Sequence, residues 1–193
     1  EKVGPNVVIQ TRISGDEHQE NGWTLDDCTA FCKMIDEYVD IIEISSGDYH
    51  NSEHYCWVNP LMDRFINIPI ARELKKQGVK AYLTAVGGHN DPAKMDELIK
   101  EGVVDFFSIG HGILADSDLP KKWLTGKEED VKPCIRCSDC MAGLYTGFYR
   151  CNINPTVGQE AYLLNTPKPE SSRNVLIVGG GVGGMQAAIT ACD

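Results

Sequence analysis

Four short apolar segments rich in β-branched residues recur along the first part of the chain, with helical segments between them. Strands are predicted at Val7–Ile13, Ile41–Ser45, Val79–Val86 and Val103–Ile109. Strands that alternate with helices run parallel, because each crossover helix returns the chain to the same end of the sheet. The alternation therefore predicts an α/β fold with a parallel sheet, built either as a doubly wound sheet or as a (β/α) barrel.

The intervening segments have the capping residues and the apolar spacing of helices. Helices are predicted after Thr24, over Ile68–Gln77, and from Asp91 to Gly102. In the first of them, Cys28 and Cys32 fall on the apolar face. Since buried cysteine behaves as a small hydrophobic residue, we interpret both as core residues rather than ligands.

Glycines end the third and fourth predicted strands, at the sheet edge where parallel α/β folds place their ligands. Gly87 and Gly88 follow the third strand, and Gly110, His111 and Gly112 follow the fourth. Backbone N–H groups in such turns cradle phosphate groups. Ordinary tight turns between a strand and a helix also use glycine, so the residues alone leave both interpretations open.

Four cysteines are concentrated after the predicted sheet. Their pattern is Cys134-x2-Cys137-x2-Cys140, followed after ten residues by Cys151. A close triplet of this spacing with one distant cysteine is typical of a [4Fe–4S] cluster. The alternative is a structural zinc site, although such sites more often use two separated pairs of cysteines. Residues 127–165 otherwise show neither helical nor strand periodicity.

A glycine-rich turn follows the last apolar segment. Gly179, Gly181 and Gly184 fit the pattern G-x-G-x-x-G, between a predicted strand at Asn174–Val178 and a helical segment. That context is required of a turn that binds a dinucleotide pyrophosphate. The acidic ribose contact of this fingerprint would fall beyond residue 193, so we expect this chain alone not to hold a dinucleotide.

Charge and hydropathy exclude several classes of partner. The formal net charge of -10 argues against nucleic acid and anionic lipid as partners. The sequence has neither a signal peptide at its start nor an apolar run of about 18 residues. Four clustered thiols in such a chain indicate a reducing compartment, and we expect a cytoplasmic protein.

Several segments resemble one enzyme family, the iron–sulfur flavoenzymes related to old yellow enzyme. This family includes trimethylamine dehydrogenase, 2,4-dienoyl-CoA reductase and the bacterial 2-enoate reductases. The resemblance is carried by Gly87–Met95, Ile113–Lys122, Pro133–Cys137 and Cys151–Pro155. These segments follow the family's order: the exit of the seventh barrel strand, the segment after the eighth, and the two ends of the cluster motif.

The resemblance implies a TIM barrel that binds FMN, a [4Fe–4S] cluster beside it, and a downstream domain that binds FAD or ADP. The whole enzyme would exchange electrons with NAD(P)H and a small organic substrate. A whole barrel needs about 250 residues, so we interpret the chain as an internal fragment that begins with strand five. The expected regions are a half-barrel (1–126), a cluster segment (127–166) and the start of a Rossmann-like domain (173–193).

The resemblance also implies roles for individual residues near the flavin. Arg12 matches the arginine at the flavin pyrimidine edge, and Gly87, Gly88, Gly110 and His111 match the FMN phosphate loop. The alternative for Arg12 is a surface salt bridge, although an arginine inside an apolar strand needs a partner. The family usually has arginine at the position of His111. Histidine is a weaker and pH-dependent partner for phosphate, which argues against tight FMN binding.

The loop after the second predicted strand supplies the catalytic candidates. It is long and rich in His, Tyr and Asn, as functional loops often are. In 2,4-dienoyl-CoA reductase a histidine near this position donates a proton to the substrate. We therefore take His50 and His54 as candidate proton donors, and the alternative for each is an ordinary loop or surface histidine.

Three functions remain open. The first is an ene- or enoate-type reductase that uses NAD(P)H. The second is an amine dehydrogenase or demethylase of the trimethylamine dehydrogenase type, and the third is a non-catalytic electron-transfer or interaction module. A half-barrel would also expose open sheet edges and an apolar inner face, so we expect the chain to self-associate.

Overall fold

A four-stranded parallel sheet in the order β1-β2-β3-β4 organises the first part of the chain. The computed structural model describes residues 3–167 and 170–192. The strands are β1 (Gln10–Ser14), β2 (Ile41–Ser45), β3 (Tyr82–Val86) and β4 (Phe106–Ser108). The chain forms two compact units, the first ending at Gly158 and the second beginning at Gln159. An α/β fold with a parallel sheet is thus confirmed.

Helices connect and follow these strands. They are α1 (Leu25–Ile35), α2 (Glu53–Cys56), α3 (Ile68–Lys76), α4 (Pro92–Lys100), α5 (His111–Ala115), α6 (Leu119–Leu124), α7 (Asp139–Thr146), α8 (Glu160–Leu164) and α9 (Val182–Cys192), with a 3₁₀ turn at Glu128–Asp130. The predicted starts of α1 and α4 are confirmed. Thr24 and Asp27 form a capping box, and the Asp91 side chain accepts a hydrogen bond from the backbone N–H of Lys94 at 3.1 Å.

The hydrophobic core lies between one face of the sheet and the crossover helices. Ile42 and Ile44 of β2 and Leu83 of β3 are fully buried there. Cys28 and Cys32 of α1 belong to the same core, with their sulfur atoms 3.8 Å apart. Their interpretation as core residues is therefore confirmed.

The opposite face of the sheet is polar towards the carboxyl ends of the strands, whereas the exposed rings of Tyr82 and Phe106 lie on it at the other end. The expected apolar inner face is therefore present only in part. Arg12 donates hydrogen bonds to Glu43 and to Ser45, each at 3.1 Å. The hydroxyl groups of Thr84 and Ser108 lie 3.2 Å apart. These polar side chains satisfy one another across neighbouring strands, which lets a sheet face remain polar where apolar packing was expected.

Three strands, β1, β3 and β4, begin later than their apolar composition predicts. The ladder starts where Gln10, Ile41 and Tyr82 lie side by side, so residues 7–9 and 79–81 precede it. The Asp36 carboxylate accepts hydrogen bonds from the backbone N–H groups of Lys80 and Ala81 instead. Backbone groups capped in this way cannot join the ladder.

Residues 127–165 are more ordered than the sequence predicts. The helices α7 and α8 and the 3₁₀ turn lie within this range, so the expectation of a segment without helices is wrong. Helix α7 is only eight residues long. An apolar period cannot be recognised over so few residues, because it needs a window of about 11 or more.

The second unit contains α8, the glycine-rich turn and α9. The predicted strand at Asn174–Val178 does not form, and the side chains of Leu176 and Val178 are largely exposed. A strand needs a neighbour to receive its backbone hydrogen bonds, and the described residues of this unit supply none. Among the residues that the structure describes, no helix has both the length and the hydropathy to cross a membrane.

Candidate functional site

A cavity of about 240 Å³ lies at the carboxyl ends of the strands. It brings together five residues that the sequence singled out: Arg12, Gly87, Gly88, Gly110 and His111. The volume is below the roughly 300–1,000 Å³ typical of ligand pockets. The described residues therefore form part of the wall that a cofactor-sized ligand needs.

Glycine serves two purposes in these turns. At Gly87 and Gly88 it permits a backbone conformation that other residues disfavour, and at Gly110 it leaves the backbone uncovered by a side chain. Gly87 and Gly88 have φ angles of +131° and +73°, where residues with a Cβ are disfavoured. A Cβ at Gly110 would meet no atom within 4 Å. The space next to Gly110 is thus open, and a ligand can approach its backbone closely. This geometry fits a phosphate group.

Arg12 reaches the cavity from β1. Its Nη1 pairs with Glu43 Oε1 at 3.1 Å, and its Nη2 bonds the Ser45 hydroxyl. Gln10 Nε2 donates to the other carboxylate oxygen of Glu43 at 2.8 Å. The guanidinium is held in place on the wall, and its remaining N–H donors are available to a ligand.

His111 begins α5 directly after Gly110. Burial lowers the pKa of its imidazole below the ordinary value, so the ring is mostly neutral at pH 7. A neutral imidazole attracts phosphate less than the arginine usual in the family that this segment resembles.

His50 and His54 do not line the cavity. Both are exposed, and the His54 ring packs against Tyr55 at 4.4 Å. The same loop contributes Tyr49 and Trp57 to the wall instead, with their rings 5.8 Å apart. Sequence reasoning missed these two aromatic residues, although aromatic side chains in a long polar loop were the available signal.

His89 was given no role from sequence and is a buried part of the wall. Its Nε2 lies 3.0 Å from the carbonyl oxygen of Ala85, and its ring packs against Phe65 and Phe107. Burial lowers the pKa of His89 to about 4, against the smaller effect of the Ala85 carbonyl. The imidazole is therefore neutral at physiological pH and packs as a core side chain.

The four clustered cysteines line a second, smaller cavity together. Its wall consists of Cys134, Cys137, Cys140 and Cys151, with His111, Leu114, Ile135, Ser138 and Ile153 among them. Cys134 and His111 also line the first cavity. The two cavities thus share one wall, so a group bound by the thiols would lie next to a ligand in the strand-end cavity.

Hydrogen bonds from nitrogen point at three of the sulfurs. The backbone N–H groups of Arg136 and Ile153 lie 3.4 Å from Cys134 Sγ and 3.5 Å from Cys151 Sγ. Asn152 Nδ2 lies 3.3 Å from Cys137 Sγ. Donors aimed at sulfur stabilise thiolates and tune the potential of a cluster that they ligate.

The turn between the cysteines has unusual backbone. Arg136 and Ser138 have φ angles of +57° and +59°. Non-glycine residues in this region cost of order 1–2 kcal/mol each and persist only where the surroundings impose them. The guanidinium of Arg136 provides one such constraint, because it donates to the carbonyl oxygens of Met62 (2.9 Å) and Pro60 (3.3 Å).

Two further contacts fix the last cysteine. Arg150 and Asp139 form a two-pronged ion pair at 2.8 and 2.9 Å, which joins the residues next to Cys151 and Cys140. Asn154 Nδ2 donates to the carbonyl oxygen of Leu114 at 3.0 Å. The second contact connects the cysteine segment to α5, the helix that follows β4.

The four thiols need a positively charged partner if they are to act as ligands. Burial, reinforced by the neighbouring cysteines, raises the pKa of Cys134 and of Cys140, so a bound cationic group is needed to hold them as thiolates. In the described part of the chain, no three His, Cys, Asp or Glu residues converge closely enough to hold one ion.

The glycine-rich turn of the second unit supplies a separate candidate site. Gly179 has a φ angle of +115°, and a Cβ at Gly184 would lie 1.9 Å from the carbonyl oxygen of Gly179. Gly181 has open space around it. The turn leads directly into α9, so it requires glycine at its first and last positions and leaves the middle one free for a ligand's approach.

Comparison with known families decides the identity of the first unit. Residues 1–130 match the NADH:flavin oxidoreductase / NADH oxidase family. The chain belongs to this family. FMN-dependent oxidoreductases make up the family, and the strand-end cavity with its glycine turns and arginine is consistent with that cofactor.

Individual relatives in and around this flavin oxidoreductase family match nearly the whole chain. The chain is 33% identical to the NADH oxidase of Thermoanaerobacter brockii over 99% of its own length and 30% of that protein's. It is 30% identical to the dimethylamine dehydrogenase of a Hyphomicrobium species, with 96% and 26% covered. It thus spans less than a third of the length of these relatives.

Among solved structures, the chain is similar to a 2-naphthoyl-CoA reductase in complex with 2-naphthoyl-CoA. The TM-score is 0.81 at 27% sequence identity, and the similarity covers 92% of this chain and 27% of that one. This similarity extends beyond the family match at residues 1–130 into the cysteine segment.

Proposed function

We propose that this chain supplies the FMN phosphate site and the [4Fe–4S] site of an NAD(P)H-linked oxidoreductase. One observation carries the proposal: Cys134 and His111 line both the strand-end cavity and the cavity of the four thiols. A flavin exchanges electrons in pairs or singly and a cluster carries one at a time. Their sites share a wall, as a two-cofactor electron path requires.

Within this proposal the first cavity holds FMN. Gly87, Gly88 and Gly110 would receive the phosphate through their backbone N–H groups, and Arg12 would contact the ring. The glycine turns follow β3 and β4, whereas Arg12 lies on β1. These strands are two to three spacings apart, about 10–14 Å, which separates a phosphate end from a ring end.

The second cavity holds the cluster in this proposal. Cys134, Cys137, Cys140 and Cys151 would be its ligands, with the N–H groups of Arg136 and Ile153 donating to two of the sulfurs. Iron–sulfur clusters with four thiolate ligands supply one-electron transfer. Thiols of this kind stay reduced in the cytoplasm, where we place the protein.

The same proposal assigns the regions of the chain. Residues 1–126 form the C-terminal half of a TIM barrel, 127–166 form the cluster segment, and 173–193 begin a dinucleotide-binding domain. Gly179, Gly181 and Gly184 would approach the pyrophosphate of FAD, or the phosphates of ADP, at the start of α9. The turn is so tight that a Cβ on Gly184 would collide with the carbonyl oxygen of Gly179, and this supports the assignment.

For the reaction we propose reduction of an unsaturated acyl compound by NAD(P)H. The likeness to a 2-naphthoyl-CoA reductase and to an NADH oxidase supports this direction of electron flow. The likeness to a dimethylamine dehydrogenase supports a second candidate, oxidation of a small amine. In either reaction Tyr49 and Trp57 would shield the flavin from water. In the reduction, His50 or His54 would donate the proton to the substrate after movement of their loop.

Anaerobic purification of the full-length protein tests the proposal. We expect a flavin spectrum with a broad cluster shoulder, and about four irons and four sulfides per chain. Cys134→Ser should lose the cluster while FMN remains. One zinc per chain without labile sulfide, or absence of flavin, would overturn the proposal.

Substrate assays on the same preparation separate the two reactions. A reductase should be bleached by NADH and reoxidised by an unsaturated acyl-CoA or 2-enoate. An amine dehydrogenase should be bleached by dimethylamine in the absence of NADH. Bleaching by the amine alone would replace the reductase assignment with the second candidate.

A further inference from the structure

The carboxylate of Glu43 is the immediate partner of the one arginine on β1 that reaches the strand-end cavity. Its Oε1 lies 3.1 Å from Arg12 Nη1, and its Oε2 accepts a hydrogen bond from Gln10. The Glu43 side chain is 13% exposed, against 53% for Arg12. Arg12 lines the cavity, whereas Glu43 is not among the residues that line it.

The register of the sheet explains this arrangement. Arg12 and Glu43 are direct neighbours across the β1–β2 ladder, so their side chains point to the same face. Ser45, one pleat further along β2, accepts from Nη2. Two anchors on one strand therefore fix both the position and the plane of the guanidinium.

We infer that Glu43 is a positioning residue that holds Arg12 against the flavin ring and offsets part of its charge, so that the bound flavin is harder to reduce than Arg12 alone would make it. This inference rests on the proposed FMN site. Glu43 touches neither the cofactor nor a substrate, and it acts through Arg12.

The charge balance of the reduction gives the direction of the effect. Hydride transfer from NAD(P)H adds two electrons and one proton to the flavin, leaves NAD(P)⁺, and gives a reduced flavin with one negative charge. An uncompensated guanidinium would favour this anionic form, since opposite charges attract strongly in a partly buried site. The Glu43 carboxylate reduces that preference.

Glu43→Gln in the full-length FMN-loaded protein tests the inference. Glutamine retains an oxygen for Arg12 Nη1, and the Gln10 amide can turn to present its own oxygen to the new NH₂ group. We expect reduced flavin to be bound at least tenfold more tightly relative to oxidised flavin than in the wild type. For a two-electron couple, this is a rise in midpoint potential of about 30 mV.

Two matched variants make the result specific. Glu97→Gln removes the carboxylate of another ion pair, that with Lys94 at 2.9 Å on the surface of α4, and should leave the potential unchanged. Glu43→Gln added to Arg12→Gln should give a smaller shift than Glu43→Gln alone, because the part of the effect that passes through the guanidinium is already gone. Glu43→Asp, which draws the carboxylate back from Nη1, should give a smaller rise and serves if the glutamine variant does not fold.

An unchanged potential in Glu43→Gln, or in Glu43→Asp where that variant replaces it, would overturn the inference. So would an equal shift with and without Arg12, since Glu43 would then act independently of it. Both outcomes require bound FMN. A wild-type protein that holds no FMN would instead refute the proposed function.

Discussion

The carboxylate of Asp116 accepts a hydrogen bond from the backbone N–H of Lys132 at 2.9 Å and so fixes the chain two residues before Cys134. The same oxygen accepts from Lys122 Nζ at 2.6 Å, and the other accepts from the N–H of Asp118. Asp116 is only 5% exposed. One buried carboxylate therefore joins α6 and the approach to the cysteine segment.

Asp116→Ala should destabilise the first unit by about 2 kcal/mol or more, because it leaves two backbone N–H groups without their acceptor and removes the charged partner of Lys122, which keeps only the Asp130 carbonyl oxygen. In the full-length protein this appears as a lower urea midpoint for loss of the cluster. Asp118→Ala is the matched control, since that side chain is exposed and makes no cap hydrogen bond. Equal midpoints for the two variants would contradict the role of Asp116.

The stabilisation by Asp116 should depend on pH. Burial alone would raise the pKa of Asp116, but the hydrogen bonds from Lys122, Lys132 and Asp118 outweigh burial and hold the pKa below its ordinary value. A lowered folded-state pKa gives stability that is fully present above the unfolded value of about 3.9 and is lost as the pH falls through the folded value. The difference between wild type and Asp116→Ala should thus be constant from pH 5 to 7 and shrink below about pH 4.

Arg150→Ala should shorten the lifetime of the cluster. The ion pair with Asp139 joins the chain next to Cys151 to the start of α7, and its loss frees the fourth ligand to move. We expect a several-fold faster release of iron to a chelator with little change in global stability, because exposed ion pairs contribute about 0.2–1 kcal/mol.

The matched control is Arg72→Ala. Arg72 pairs with Glu101, and its side chain is 57% exposed, as is that of Arg150. It lies on α3, away from the cysteines. If both variants release iron at the same rate, the Arg150 pair has no special part in holding Cys151.

The alternation of strands and helices could be predicted from the sequence because apolar residues recur with a different spacing in each kind of element. The ends of the strands were not readable, because they depend on partners distant in the chain. Asp36 caps the N–H groups of Lys80 and Ala81, and no local pattern reveals that contact. The strand predicted at Asn174–Val178 does not form because it also depends on a partner. Its composition favours a strand, but a ladder needs a second strand.

In the candidate site too, features set by local spacing could be predicted from the sequence, whereas contacts between distant residues could not. Spacing alone predicted that the four cysteines share one site, and the structure places all four in the wall of one cavity. The ion pair of Arg12 with Glu43 arises from the register of β1 on β2, which the sequence does not specify. The shared wall at Cys134 likewise depends on Arg136 reaching the carbonyl oxygens of Met62 and Pro60.

His50→Gln and His54→Gln test whether the loop after β2 moves during turnover. Both side chains are exposed and lie outside the cavity. If the loop stays as it is in this structure, each variant should keep the wild-type rate of flavin reoxidation within about twofold. A loss of more than a hundredfold in one variant, with unchanged NADH bleaching, would identify that histidine as the proton donor and show that the loop closes.

The chain of residues 1–193 should self-associate through its sheet edge. On its outer side β1 has no partner strand in the described residues, and Val7 and Val8 just before it are exposed. Open edges of this kind pair with other chains. We expect sedimentation of species larger than 21.3 kDa, reduced by Val8→Lys but not by Val178→Lys in the second unit. A stable monomer at that mass would contradict this prediction.

Gly184→Ala should abolish dinucleotide binding by the full-length protein, whereas Gly183→Ala should not. A Cβ at Gly184 would lie 1.9 Å from the carbonyl oxygen of Gly179, so the turn must open to admit it. A Cβ at Gly183 would meet no atom within 4 Å. The two variants add the same methyl group to adjacent residues of α9 and therefore share any effect on helix propensity, which favours alanine over glycine. The measurement is the amount of FAD or ADP released on denaturation, relative to FMN released from the same sample. If both variants retain the dinucleotide equally, the close approach of Gly184 to Gly179 is not needed for binding. If both lose it, binding depends on the start of the helix as a whole and not on this one contact.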